Sequence, residues 1–498
     1  MEISFEGREA VVYRELACQT RRVQESAEAV VPDTDADIQK IAAAQSGVLL
    51  KSKDLTSRGV LISGELYASV LCIWEGEAGT GSIRVRKPFT LEFEVEGLES
   101  DAMAQVSLLV QGTDVRLVNP RKISVTFDVE GLLSCYRRES LCVDVSLPEN
   151  ARGLHARMEE HTLILPNAVC EKSVAVNEQF SFTDGQKTPE SLLSEKAALL
   201  IADCQLLGSK MIVKGSVEIT VCGLDAENGI PTVSSFSTPF SQIVEVDAES
   251  MQYCTVRPEI TGAYFDLIDT ISGEKALDVE LHAVLQLVCF EQRQLRCVAD
   301  AYSNLMPAAL LNRTQEFTMS GPARTEILNT REQVGLTEEC GELLYVFPSL
   351  TRISAEGGKL GAAMTLDFLY KNAEGKLSAC RRTVALSMET DGRELRIIDV
   401  GHTAAEAVCD GEYADCTVTI ELICTTCEKA AVTAVGGVKL DEEKAYVQGS
   451  LPTLTLVRRE GESLWSLAKR YHSSEEIIRE LNEDAETTDR MLLIPKCV

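Results

Sequence analysis

Along most of the chain apolar and polar residues alternate with a period of two. Ile123, Val125, Phe127 and Val129 are separated by Ser124, Thr126 and Asp128. Leu277, Val279, Leu281, Ala283, Leu285 and Leu287 follow the same rule, as do Cys416, Val418, Ile420, Leu422 and Cys424. Successive side chains of a strand point to opposite faces, so this spacing predicts strands with one buried and one wet face, as in antiparallel sheets. The pattern also recurs over long distances. "VLISGELYASVLCIW" (60–74) aligns with "MIVKGSVEITVCGLD" (211–225) when Gly64 is laid on Gly215, and a Pro-Phe pair follows each at matching spacing, Pro88-Phe89 and Pro239-Phe240. "RKISVTFDVEGLLSCYRRESLCV" (121–143) aligns with "EKALDVELHAVLQLVCFEQRQLRCV" (274–298). A weaker third copy runs through "KLGAAMTLDFLYKNAEGKLSACRRTVAL" (359–386) and "DCTVTIELICTTCEKAAVTAV" (415–435), without the Pro-Phe pair. Its "KNAEGK" stands where the second copy has "DAENGI", and both read as hairpin turns.

A period of about 150 residues is too long for a solenoid and predicts tandem domains. The expected plan is mainly β: three antiparallel, sandwich-like domains over 1–160, 161–312 and 313–437, a linker over 438–452, and a small module over 453–498. Each β-rich domain is expected to carry a short helix. "VVPDTDADIQKIAAAQ" (30–45) has a proline, capping acids and then Ile38 and Ile41, and "TPESLLSEKAALLIAD" (188–203) stands at the comparable place.

The last stretch changes period. "TLTLV" (453–457) and "MLLIP" (491–495) read as strands bracketing two helices. Leu464, Leu467, Ala468 and Tyr471 form an apolar stripe after Ser463 as N-cap. The second helix is expected to open with the capping box Ser473-x-x-Glu476 and to bury Ile477, Ile478 and Leu481. Trp465 stands one position off the first stripe, at the edge of the small core or in a groove.

Composition narrows the function. With 498 residues, 45% of them hydrophobic, the chain is globular and too long for one core. The net charge of −29 argues against nucleic acid and anionic membrane as direct partners and favours solubility or a partner with a basic face. No apolar run reaches the roughly 18 residues of a membrane-spanning helix. The first residues, "MEISFEGREAVVYREL", hold early acids and no apolar core of a secretory signal, so a cytoplasmic start and reduced, structural cysteines are expected for the 17 present.

Catalytic and metal motifs find little support. Asp33, Asp35 and Asp37 imitate a calcium loop, but Ile38 and Ala44 stand where glycine and a bidentate glutamate belong, so a helix cap explains them. Cys424-Thr-Thr-Cys427 is the one CxxC and has no second ligand pair nearby. Histidines 155, 161, 282, 402 and 472 are isolated, and "GEAGTGS" (76–82) and "EGGKLGAA" (356–363) read as hairpin turns rather than phosphate cradles. No enzyme is expected; a glycan hydrolase would need a paired-carboxylate cleft that nothing in the sequence marks.

The terminal module resembles a LysM domain, through Gly461-Glu462-Ser463-Leu464-Trp465-Ser466-Leu467-Ala468, Leu481-Asn482 and Leu492-Leu493-Ile494-Pro495. That resemblance implies a shallow groove for N-acetylglucosamine-containing glycans, with Gly461, Glu462, Ser463, Leu464 and Trp465 on one side and Asn482, Glu483, Asp484 and Ala485 on the other. The family usually has Asp where Glu462 stands, and Pro-Gly where this chain has Thr488-Asp489. Glu460, Glu462, Glu483, Asp484 and Glu486 around the groove would suit a basic protein surface better than a neutral sugar. The "VVPDTDADIQKI" and "GELYASVLCIW…KPF" runs resemble the SPOCS domain of sporulating Firmicutes. Several such domains with a terminal LysM resemble clostridial spore-coat morphogenesis proteins of the SipL type. This implies a mother-cell adaptor recruited to the forespore surface, its partners a scaffold ATPase of the SpoIVA type and other coat proteins. The alternative is a cell-wall protein binding peptidoglycan through its LysM. Neither resemblance implies a cofactor.

Overall fold

The computed structural model describes residues 1–496 except 77–78, 149–150, 152, 183–187, 226–228, 249, 271–272, 447–452, 484 and 486–490. A short strand, β1 (Glu2–Ser4), precedes three sets of strands. The first set is β2 (Glu6–Val30), β3 (Ile38–Leu55), β4 (Gly59–Trp74), β5 (Thr80–Glu94), β6 (Met103–Asn119) and β7 (Lys122–Ser146). The second is β8 (Leu154–Ser181), β9 (Pro189–Leu207), β10 (Lys210–Asp225), β11 (Pro231–Glu245), β12 (Tyr253–Asp269) and β13 (Lys275–Ser303). The third is β14 (Ala308–Ser320), β15 (Arg324–Glu356), β16 (Lys359–Asn372), β17 (Leu377–Glu389) and β18 (Leu395–Leu440). The protein is mainly β, and no helix among the described residues is long and apolar enough to cross a membrane.

The sets share one plan. In the first, β3–β4–β5 form one sheet while β7 lies between β2 and β6 in another; in the second, β9–β10–β11 face β13 with β8 and β12. The third reaches the same layout with fewer breaks. Its β15 pairs with β18 up to Gly335 and with β16 from Cys340 onward, so one strand serves both layers. β18 reverses at Gly411, whose φ of 62° suits glycine, and its two arms meet where the His402 N–H reaches Glu421 Oε2 at 3.3 Å. Each set thus encloses its own core between two sheets. The three alternating stretches read from the sequence lie on β7, β13 and β18, with their apolar members inside those cores.

The recurring Gly and Pro-Phe positions have one physical cause. Gly64 pairs with Phe89 and Gly215 with Phe240 across neighbouring strands. A Cβ on either glycine would come within 2.4 Å and 2.8 Å of the phenyl ring, so the ring lies over the bare backbone in place of a side chain. In the third set Gly361 faces Ser387 instead, and no ring covers it.

The expected helices at 30–45 and 188–203 are strands. The alanine run of β3 is held extended because both faces are covered: Ala44 enters the first core, while Ala42 and Ala43 meet Leu193 of β9 and Phe347 and Leu369 of the third set. Tertiary packing here outweighs the helix preference of alanine. Nor do Asp33, Asp35 and Asp37 cap a helix. They gather around Arg121, which bonds the Asp35 and Pro32 carbonyls at 2.8 and 2.7 Å and Asp37 Oδ1 at 3.1 Å.

The sets are interleaved. Beyond their own cores, the far halves of the long strands build a shared cluster in which Val12, Leu141 and Val143 meet Leu163, Leu165, Leu295 and Cys297 and then Val432. β1 closes the body by pairing with the end of β18, Ile3 opposite Val438, and the terminal ammonium donates to the Leu440 carbonyl at 2.9 Å. Residues 438–440 of the expected linker are therefore strand, and its residues 447–452 lie outside the described ones.

Candidate functional site

The C-terminal module consists of β19 (Leu454–Arg458), α1 (Leu464–Tyr471), α2 (Glu475–Leu481) and β20 (Met491–Pro495). The two strands pair antiparallel, and Leu464, Leu467, Ala468, Ile478, Leu492 and Ile494 form the core. Ser463 caps α1, accepting the Ser466 N–H at 3.1 Å. The cap of α2 is Ser474, not Ser473: its hydroxyl accepts the Ile477 N–H at 3.3 Å, while Ser473 is buried and presents its carbonyl elsewhere. Leu481 faces outward, 51% exposed, and Ile478 is the buried residue of the helix.

A residue outside the sequence reading bonds the backbone of both loops expected to form the groove. Arg459 is buried; its Nε donates to the Glu462 carbonyl at 2.8 Å and its Nη1 to the Ala485 carbonyl at 2.7 Å. One guanidinium thus spans both lips and takes up one lone pair of a backbone acceptor on each. Gly461 allows the first lip to turn, with φ of 82° and open space where a Cβ would stand. The polar side chains are largely committed. Glu462 pairs with Arg470 at 2.6 Å. The Asn482 amide donates to the Ile478 and Leu493 carbonyls at 2.7 and 2.8 Å and accepts the Leu493 N–H at 2.8 Å, which ties α2 to β20 rather than offering a contact to a ligand. Leu464 and Ala485 are buried, whereas Glu460 and Glu483 are exposed at the rim. Asp484, Glu486, Thr488 and Asp489 lie outside the described residues.

Trp465 belongs neither to the groove nor to the module's edge alone. It is 7% exposed because it seats the module on the end of β13. The indole N–H donates to Asp300 Oδ2 at 2.7 Å, and the ring meets Tyr302 edge-on with centroids 4.8 Å apart. Around it, Lys469 bonds both Asp300 oxygens at 2.7 and 2.9 Å, and the Tyr302 hydroxyl donates to the Ser473 carbonyl at 2.8 Å. Burial pushes the Asp300 carboxyl up, but the bonds from Lys469 and Trp465 outweigh it and hold the group below its ordinary value. His155 stacks on the other side of Tyr302 at 5.1 Å, and desolvation lowers its pKa against a weaker opposing pull from Glu476. None of these partners is near the module in sequence, so no local pattern reveals the joint.

Other residues singled out in the sequence are scattered. Cys424 lies in the third core, while Cys427 accepts a bond from Arg396 Nη2 at 3.0 Å. His282 pairs with Glu280 at 2.7 Å on the surface of β13. Gly357 and Gly358, both with positive φ, make the hairpin between β15 and β16. The Asn372–Lys376 turn likewise closes β16 onto β17, with Asn372 N–H on the Lys376 carbonyl at 2.9 Å.

A protein-family model for the LysM domain matches residues 459–493. The chain therefore carries a LysM domain at its C-terminal end, which supports glycan binding as a function of that module. No curated protein and no solved structure matches the chain.

Proposed function

We propose that this protein is a non-enzymatic adaptor of spore-coat assembly, whose β-rich body and LysM domain tether coat proteins to a scaffold ATPase of the SpoIVA type on the forespore surface. The mother-cell setting comes with the resemblance of the three strand sets to SPOCS domains. The observation that carries the choice of a protein partner is the state of the groove. Arg459 holds the Glu462 and Ala485 carbonyls, Asn482 is spent on β20, and Trp465 is covered by Tyr302. A neutral sugar is left few polar groups to bond, while Glu460 at the rim offers charge to a basic surface.

The second reading, a LysM that binds N-acetylglucosamine-containing glycan such as peptidoglycan, is favoured by the family match itself. Calorimetric titration of the whole protein against the purified scaffold ATPase and, separately, against chitin oligosaccharides and peptidoglycan fragments decides between them. Binding to the scaffold alone is expected, weakened about threefold when Glu460 is changed to Lys, the scale of losing one favourable rim charge. Binding to the sugars alone overturns the adaptor reading.

A further inference from the structure

The smaller sheet of the second set carries a row of hydrogen-bond donors on the face turned away from its own core. Lys196 on β9 stands opposite Thr220 on β10, and Thr220 stands opposite Ser235 on β11. Opposed residues share a face of a sheet, so an ammonium and two hydroxyls lie side by side across three strands, each step about 4.8 Å. All three line a cavity of about 340 Å³ where the three sets meet. Val110 of the first set, Ile260 of the second and Leu350 of the third supply apolar wall around the row.

The three side chains are uncommitted: none bonds or pairs with another described residue. The alignment of Gly64 with Gly215 gives the corresponding row of the first set, Gln45, Ser69 and Arg84 across β3, β4 and β5. There the ends of the row are spent on packing, Gln45 accepting the Ser194 hydroxyl at 2.5 Å and Arg84 donating to the Leu192 carbonyl at 3.2 Å. Glu218, the carboxylate nearest the row on β10, is engaged as well. It accepts the Ser216 and Ser237 hydroxyls at 2.7 Å each and forms no ion pair with Lys196. Lys196 keeps open surface, yet the surrounding protein desolvates it and lowers its pKa. The surface it keeps is therefore cavity wall and not molecular exterior. An ammonium drawn out of bulk water without a counter-charge is costly, and an entering anion relieves that cost.

We propose that this cavity binds a small carboxylate with an apolar body, its carboxylate seated on Lys196 and Thr220 and within reach of Ser235. The ammonium and the Thr220 hydroxyl donate to the two carboxylate oxygens, and the bond from the charged donor is the stronger. The apolar body lies against Val110, Ile260 and Leu350. A space of about 340 Å³ limits the occupant to a small molecule. Because its walls come from all three sets, the ligand binds the assembled fold and not the unfolded chain, so it stabilises the protein.

The test titrates the full-length protein by calorimetry with octanoate, with octanol as the uncharged probe of equal length and acetate as the charge without the chain. Octanoate is expected to bind saturably at one site and to raise the melting temperature, with octanol and acetate each weaker by about tenfold or more, the scale of one bond to a charged group. Lys196→Met keeps the length of the side chain and removes its charge. It is expected to weaken octanoate about tenfold and to leave octanol unchanged. A second measurement needs no variant: the unaltered chain is labelled with acetic anhydride with and without octanoate, and acetylation of Lys196 is mapped by mass spectrometry. Protection of Lys196 by octanoate is expected. Absence of saturable octanoate binding, octanol binding as tightly as octanoate, or equal labelling of Lys196 in both samples would overturn the proposal.

Discussion

Glu259 shows how much a single position can report. It is 6% exposed, its Oε1 accepts the Leu108 N–H at 3.0 Å, and burial, helped by the neighbouring Asp399, raises its pKa well above the ordinary 4.5. Burial likewise lifts Asp399 to about 6. A carboxyl whose folded pKa is raised favours the fold below its unfolded pKa and loses that contribution as pH rises. Glu259→Gln keeps an acceptor for Leu108 without the ionisation, so it should be neutral at pH 4 and stabilising by roughly 1–2 kcal/mol at pH 8. Denaturant unfolding at the two pH values checks this, and equal effects at both would contradict it. The recurrence of Gly64 and Gly215 with their Pro-Phe pairs was legible as an alignment of copies, and the ring of Phe89 or Phe240 over each glycine gives its physical cause. Arg459, Asp300 and Glu259 were not legible, because each acts on groups distant in sequence or across a loop of unknown path.

Elements differ in the same way. The two helices of the LysM domain were placed from the apolar stripe of the first and the capping box of the second, but the second's cap was misplaced by a residue and Leu481, expected to be buried, is exposed. The alanine-rich β3 was misread as helix, because its identity depends on what covers both of its faces. The same dependence on distant partners governs the joint between the LysM domain and β13. Burying an indole contributes on the order of 2–3 kcal/mol, so Trp465→Ala should release the domain while leaving the body folded. Small-angle scattering then shows a longer maximum dimension; an unchanged profile would mean that other contacts hold the joint. The joint should also weaken with acid. His155, lowered by burial from 6.5, takes up a proton in the freed state before it does in the seated one, so seating is lost progressively as pH falls below about 6.5. Asp300, held below its ordinary 3.8, contributes fully above that value and loses its contribution as pH falls further.

At the scale of the whole molecule, the strand sets do not stand apart: Val284 of the second set is buried in the first core. Val12, Leu163, Leu295 and Val432 come from all three and are buried in one cluster, and Ala42, Leu193 and Leu369 in another. A repeat of sequence discloses the unit but not how units lean on each other, since the contacts between copies are the ones that differ. Calorimetric melting of the body should therefore give one cooperative transition rather than three resolved ones, and separable peaks would show that the shared clusters add little coupling.

The way β18 leaves the body has a mechanical consequence. Its final residues lie antiparallel to β14 and its middle to β15, and the chain then runs toward the LysM domain. Ladder hydrogen bonds lie across the strand axis, so a pull delivered along β18 by a bound partner loads many of them at once. Such an attachment fails in shear, which resists force better than peeling one bond at a time.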